Sequence, residues 1–507
     1  MVAEPLLVGV DVGTTNIKAI VFNPRGQVVA RASTSTPTRH PRPAWADYDP
    51  EALWQQTVSA LRTAVGELDD VNRIVSIAVA SMAETAVPLD GRGQPTFDAV
   101  AWFDLRAAEQ AGWLDETIGQ DRLFAISGLS LQPIFGLCKL LWLKQNEPEA
   151  FERTALWLNV ADYIAYRLCG VAATDYSLAS RILTLDLRNL RWDEDLLAEL
   201  EIPASLFAPL RPSGTVLGRI RAQAAALTGL PGYTQVVVGG HDHVCGALAT
   251  GVIEPGSLLN SVGTSEAIFL PVKRPLSDPA MGRQGYAQGA HVVPDRYFAV
   301  GGLYTSGICV DWFRDLMGGD VSHASLIAEA EMVPPGSLGV SFLPYLRLAN
   351  SPIIDPKARG AFVGLTIDAG RGAIFRALLE GLAFGLRHSL DALLVHANVD
   401  LERVFAIGGG TRNRLHMRIK ATMLKQAITV LEMEEATALG AALLGGLGVG
   451  IYRDANEALG TLQVDRTVVE PIGEQIDLYE RHYQEIYLQM YPALKSLNHA
   501  IDRVSGR

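Results

Sequence analysis

The sequence predicts an α/β protein of two domains, and three observations predict it. The chain has 507 residues, more than a single hydrophobic core organises. Short apolar, β-branched runs alternate with helix-period runs through both halves, the pattern of strands covered by helices. A Val-Gly-Thr-Thr turn near the start is matched by a Val-Gly-Thr-Ser turn near the middle, with Gly13 and Gly263 standing 250 positions apart.

The first element, LLVGVDVGTTNIKAIVFN (6–23), sets two β-branched runs around Gly-Thr-Thr and predicts a hairpin, with GQVVARA as a third strand. A helix follows in DPEALWQQTVSALRTAVGEL, with Asp49 as N-cap and Pro50 at the first helical position. Its Trp54, Val58, Leu61, Val65 and Leu68 step by four and three along one face. IVSIAVASM (74–82) has the run length of a buried strand. In the second half, SLLNSVGTSEAIFLPV repeats the β-turn-β pattern, and RVFAIGGGTRNRLHMRIKATMLKQ predicts strand, glycine turn, helix. TALGAALLGGLGVGIY (437–452) is uncharged but short for a membrane span and rich in glycine, which predicts a close-packed buried helix. The tail, 474–502, has the pattern of a long amphipathic helix. VIEPG separates the two patterns near 251–256, so the expected domains are 1–252 and 253–507, with a small-molecule site in the cleft between them.

Composition narrows the function classes. A net charge of −12 argues against nucleic acid as the main partner. Small anions are still accessible to it, because local backbone dipoles hold them. Cys138, Cys169, Cys245 and Cys309 lie far apart with no CxxC pair, which argues against a disulfide framework or structural zinc and fits a reducing, cytoplasmic setting. The opening MVAEPLLVGVDVG lacks the basic start and long apolar run of a signal peptide.

Phosphates need converging N–H donors and small residues that let the backbone approach. Two Gly-Thr-(Thr/Ser) turns, one per domain, are suited to holding a triphosphate between them; each taken alone also reads as an ordinary hairpin turn. Asp11, at the strand end before the first turn, is placed to hold magnesium through water. GGGTRN (408–413) resembles a nucleotide turn, but Asn413 fills the third position of a dinucleotide fingerprint, and the chain has no GxxxxGK[ST] loop. In GGHDH (239–243), an extended chain would point His241 and His243 one way and Asp242 the other. Three readings stand for Asp242: a proton-accepting carboxylate at a strand end, a cap on the VCGALATG helix, or a metal ligand with the two histidines. Glu84 follows a buried-type strand, where a charge is costly unless paired or placed in a site. Trp102 offers an apolar face for sugar C–H groups, whereas Asp104 and Arg106 read best as a structural ion pair.

At these motifs the chain strongly resembles the FGGY carbohydrate kinases, the family of glycerol kinase and xylulokinase. The resemblance runs from about residue 6 to about 451 through GVDVGTTNIKAIVFNPRG, PRPAWADYDPEALW, AWFDLR, ATDYSLAS, GGHDHVCGALATGV, SVGTS, ARGAFVGL, RALLEGLAFGL, AIGGGTRN and EATALGAALL. It implies the duplicated actin-like, hexokinase-like (ribonuclease H-like) fold, with ATP and a small sugar (ketose) or polyol meeting in a central cleft. It further implies that Asp242 is the catalytic base, that Asp11 and Asp242 attend the Mg2+, and that Thr14, Thr15 and Lys18 lie near the phosphates. Gly263 and Thr264 would meet the terminal phosphate, and Gly307, Asp311, Gly409, Gly410 and Asn413 would border the adenosine. Met82, Glu84, Trp102, Asp242 and His243 form the implied substrate set. No nucleic-acid or membrane partner is implied, and a homodimer is compatible with the family.

Two departures bear on the substrate. Xylulokinase-like enzymes carry Met-His-Gly where this chain has Met82-Ala83-Glu84, and glycerol kinase carries Arg-Glu-Thr, of which only Glu84-Thr85 remains. His243 stands where glycerol kinase has glutamine. Two rival functions remain at this point: a metal-dependent hydrolase using His241, Asp242 and His243, and a non-catalytic ATP-gated binding protein of the same fold.

Overall fold

The computed structural model describes residues 4–349 and 351–506; the outer ends of the expected domains, 1–3 and 507, lie outside the described residues. Its first sheet has six strands in the order Val216–Arg219, Gln235–His241, Ile74–Ser81, Leu6–Val12, Asn16–Phe22 and Val28–Ser35. The hairpin is antiparallel from Leu7–Phe22 to Val12–Ile17, as the turn chemistry predicts. Gln235–His241, Ile74–Ser81 and Leu6–Val12 run parallel, and strands covered on both faces read as unbroken apolar runs.

One face is covered by the helices Pro50–Gly66 and Val160–Cys169. Asp49 caps the first of these, its carboxylate accepting from the amides of Glu51 (2.9 Å) and Ala52 (3.3 Å). Trp54, Val58, Leu61 and Val65 are buried as their spacing requires, while Leu68 lies beyond the helix end and is partly buried against the same core. The other face is covered by Asp242–Ala249 and by Ala436–Gly448, a helix supplied by the second half of the chain. This helix is the glycine-rich run. It lies so close that a Cβ on Gly9 would stand 1.8 Å from the Ala438 carbonyl oxygen, a contact only glycine permits.

The second sheet runs Ala287–Ala290, Tyr297–Leu303, Glu266–Val272, Ser257–Val262, Arg403–Ile407, Ile428–Leu431 and Arg466–Val469. In each half a hairpin strand takes its partner antiparallel on one side and a later strand parallel on the other. A further antiparallel strand flanks the hairpin, and a further parallel strand flanks the later one. The same five-strand order thus occurs twice, the duplication that the matching turns suggested. Helix Arg371–Ala397 buries Phe375, Leu378, Leu382 and Leu386 against the second core. The tail is helical over Ile476–Arg481 and Leu488–Ser505, joined by a π turn at His482–Tyr487, with Tyr479, Tyr483 and Tyr487 packed around Phe384. Among the described residues no helix is long and apolar enough to cross a membrane.

Candidate active site

Strand register brings the first group of residues together. Val12, Ser81 and His241 stand level across three adjacent parallel strands, so Gly13, Met82 and Asp242 leave the sheet together at its carboxyl edge. In open α/β sheets that edge is where ligands bind. Asp11 lies one residue inside it, on the first strand.

Asp11 feels the charge of Asp242. Burial, and then the Asp242 carboxylate, push the Asp11 carboxyl up to about 7, against the pull of Lys18. Burial works to raise Asp242 as well, but the imidazoles of His243 and His241 and the His243 amide outweigh it and hold that carboxyl at about 2. The alternation expected of His241-Asp242-His243 is corrected here. The strand ends at His241, a helix begins at Asp242, and the change of backbone sets both imidazoles around one carboxylate. His241 Nε2 lies 3.0 Å from Asp242 Oδ1, and the His243 amide donates to the same oxygen at 2.6 Å. The cap reading is corrected too, because the N-cap position is His241. No group of three or more His, Cys, Asp or Glu residues is placed to hold a metal among the described residues. That set is what the hydrolase reading needs, whereas magnesium takes one or two carboxylates and keeps its waters.

Lys18, beside Asp11 on the hairpin, is tied to Glu435 of the second half by a 2.8 Å ion pair. Thr437, on the same helix start, reaches the Asp242 carbonyl at 3.4 Å, so the two halves meet beside Asp242. Trp102 is exposed, and its indole N–H donates to Thr14 Oγ1 at 2.8 Å, linking the expected sugar platform to the first turn. His243 is exposed beside Asp242.

Glu84 is buried in the left-handed region at φ 59°. Its carboxylate accepts from Arg181 Nε at 2.5 Å, and its carbonyl accepts from the fully buried Lys139 Nζ at 2.7 Å. Lys139 also donates to the Ala101 carbonyl at 2.8 Å, so one amino group fastens the segments that carry Glu84 and Trp102. Met82 is 3% exposed, its side chain packs in the first core and its amide bonds the Val12 carbonyl. Asp104 and Arg106 are a structural pair at 2.7 Å. Arg106 also binds Asp47 at 2.6 Å, with its guanidinium 4.0 Å from the Trp45 ring centre.

The second sheet repeats the device. Ser261 and Ile407 stand level on adjacent parallel strands, so the Gly263 turn and the Gly408–Gly410 turn leave the same edge. Gly408 has φ +100°, and a Cβ there would meet the Val262 carbonyl oxygen at 2.5 Å. The amide of Gly307 donates to the Gly263 carbonyl at 3.0 Å, and those of Ser306 and Ile308 to that of Thr264, seating a helix N-terminus on the turn. Gly263, Thr264 and Ser265 are exposed, Gly409 follows in a short 3-10 turn with Gly410, and Asn413 caps the next helix through the His416 amide at 3.0 Å. Asp311 is exposed on the helix Gly307–Leu316, with its carboxylate 3.2 Å from His323 Nε2. Thr15 is exposed on the first turn.

Glu435, Arg181 and Lys139 were missed by sequence reasoning. Lys139 carried no local signal, since its partners lie 38 to 55 positions away, and Arg181, whose partner lies 97 away, was marked only by the ATDYSLAS motif ending beside it. Glu435 opens a motif that the resemblance had flagged, EATALGAALL.

Comparison with known proteins accords with this geometry. The model of the FGGY family of carbohydrate kinases, N-terminal domain, matches residues 6–249, and that of the C-terminal domain matches 258–449. The chain is 30% identical to the xylulose kinase of Bacillus subtilis (strain 168) over 98% of both chains. It is 31% identical to the glycerol kinase of Gloeobacter violaceus over 94% of both. The crystal structure of xylulose kinase from Rhodospirillum rubrum superposes with a TM-score of 0.90 at 31% identity, covering 97% of this chain and 100% of that one. With both family domains matched in order along a duplicated fold, the chain belongs to the FGGY family of carbohydrate kinases.

Proposed function

We propose that the chain transfers the terminal phosphoryl group of Mg2+-ATP to a hydroxyl of a small ketose or polyol, with Asp242 as general base. The observation that carries this reading is the common carboxyl edge of the three parallel strands, which brings Asp11, the Thr14–Thr15 turn, Glu84 and Asp242 together. A carboxylate whose ionisation is made costlier by a neighbouring carboxylate suits a divalent cation. Asp11 and Asp242 are the residues that would hold it, and when bound it neutralises charge on the phosphates.

Phosphoryl transfer has a loose transition state, so the work of the chain is positioning and charge complementarity. Thr14, Thr15 and Lys18 would face the phosphates from the first half, and the exposed Gly263–Thr264 backbone would face the terminal phosphate from the second. Gly307, Gly409, Gly410 and Asn413 would line the nucleotide. Asp242 orients the acceptor hydroxyl and takes its proton late, once the new P–O bond has made that proton acidic. Trp102 and Glu84 hold the sugar, and His243 borders it. We place the division between the two domains at residues 252/253, and closure across it would exclude water as a competing acceptor.

A coupled ADP-release assay with D-xylulose, D-ribulose, glycerol and D-gluconate tests the reading. ADP release is expected to rise at least roughly tenfold with one of them, and Thr264→Val is expected to lower kcat by roughly tenfold or more with a modest change in ATP affinity. Release indifferent to every sugar would favour the ATP-gated binding protein, and full turnover in Thr264→Val would remove the second turn from the phosphate site.

A further inference from the structure

Arg181 directly follows the ATDYSLAS motif and pairs with Glu84. It follows the short helix Tyr176–Ala179, which Asp175 caps through the amides of Ser177 and Leu178. That helix is seated on the strand end carrying Asp242, because the His241 amide donates to Ser177 Oγ at 2.9 Å. The carbonyl of Arg181 accepts from the Gly136 amide at 3.3 Å, and its guanidinium carbon lies 5.1 Å from the ring centre of Phe135.

One nitrogen of the guanidinium is committed, Nε to Glu84 at 2.5 Å. The two terminal nitrogens make no hydrogen bond among the described residues. Neither is sealed away, in contrast to Arg106 Nη1, which is buried without a partner. The side chain is 12% exposed, and that of Glu84 8%. The fork is therefore locked at its base by a carboxylate and a ring, with its tips uncommitted, on a segment seated against the strand end that carries Asp242. Such a fork loses little freedom when it binds.

We infer that Arg181 is a specificity-determining residue of the sugar site, acting with Glu84 to select a neutral polyhydroxyl acceptor by one hydroxyl group. The inference rests on the kinase reading above. Guanidinium only donates and carboxylate only accepts. A hydroxyl does both, so one sugar hydroxyl satisfies an Arg181 tip and the Glu84 carboxylate at once. An analogue lacking that hydroxyl leaves an Arg181 tip without its acceptor and Glu84 without its second donor, the circumstance in which enzymes discriminate most strongly. The pair is neutral overall, so it offers no excess positive charge to the carboxylate of a sugar acid.

The test compares kcat/KM for D-xylulose, D-ribulose and glycerol, for their monodeoxy analogues and for D-gluconate, in wild type, Arg181→Met and Arg181→Lys. Wild type is expected to reject one monodeoxy analogue of its best substrate by at least about 100-fold. In Arg181→Met that ratio is expected to shrink at least roughly tenfold while the KM for ATP stays within about twofold. Arg181→Lys keeps the charge but not the fork, and is expected to fall between; it carries the test if Arg181→Met does not fold. A merely structural Arg181 would lower turnover of every sugar alike and leave the ratio unchanged, and that result would overturn the inference. So would preference of the wild type for D-gluconate. Absence of sugar-dependent turnover in wild type would overturn the kinase reading itself, whereas normal wild-type turnover with an unchanged ratio in the variants overturns the inference alone.

Discussion

Asp242→Asn is expected to cut kcat by roughly 10²–10⁴-fold while leaving the melting temperature and ATP binding close to wild type. The carboxyl is held at about 2, so at neutral pH it is ionised and free to accept a proton. Asparagine keeps the size and one acceptor oxygen, and that oxygen can still take the His243 amide, now bonded at 2.6 Å. It cannot take a proton. The fold does not depend on Asp242 as an N-cap, since His241 holds that position, so a stability loss is not expected to confuse the result. Kinetics and melting of the purified variant check both halves of the expectation. Near-wild-type turnover would remove Asp242 from the mechanism, and loss of a tightly held transition metal along with activity would revive the hydrolase reading.

Lys420→Met is expected to destabilise the protein by about 3–5 kcal/mol, the cost of stranding a buried charge. Lys420 and Glu266 form an ion pair in which neither side chain has any exposure. Glu266 also accepts from Asn260 Nδ2 at 2.8 Å and Ser306 Oγ at 2.9 Å. These partners come from the helix Arg414–Leu424, the strand Ser257–Val262 and the start of the helix after Ser306. Glu266 stands one residue beyond the exposed Gly263–Ser265 turn, so it fastens together the elements around that turn. Without the ammonium the carboxylate keeps two neutral donors, which do not offset its desolvation. Urea unfolding measures the loss, and the double variant Lys420→Met, Glu266→Gln should recover part of it because no charge is then stranded. A single variant within about 0.5 kcal/mol of wild type would contradict this account of the pair.

Legibility in the sequence follows the range of each interaction. The hairpin 6–22, the Asp49–Pro50 helix start and the glycine-rich helix are set by neighbours a few positions apart, and the patterns find them. The duplication is also legible, because its two turns kept the same three residues. At His241–Asp242, reading fails where the strand hands over to a helix: a period of two continued past His241 sends the imidazoles away from the carboxylate they flank. Met82 continues an apolar run into the core, and only its place in a known motif suggested a substrate contact. The pairs Glu84–Arg181, Lys18–Glu435 and Glu266–Lys420 span 97, 417 and 154 positions. Such pairs leave no periodic trace, and they are what fasten the candidate site.

The destination of the transferred group tests the central claim most directly. With ATP labelled at the terminal phosphoryl group and the best sugar of the panel, the label is expected in an organic sugar phosphate, in a one-to-one ratio with ADP. Label recovered only as inorganic phosphate, at a rate indifferent to sugar, would contradict phosphoryl transfer to a sugar hydroxyl.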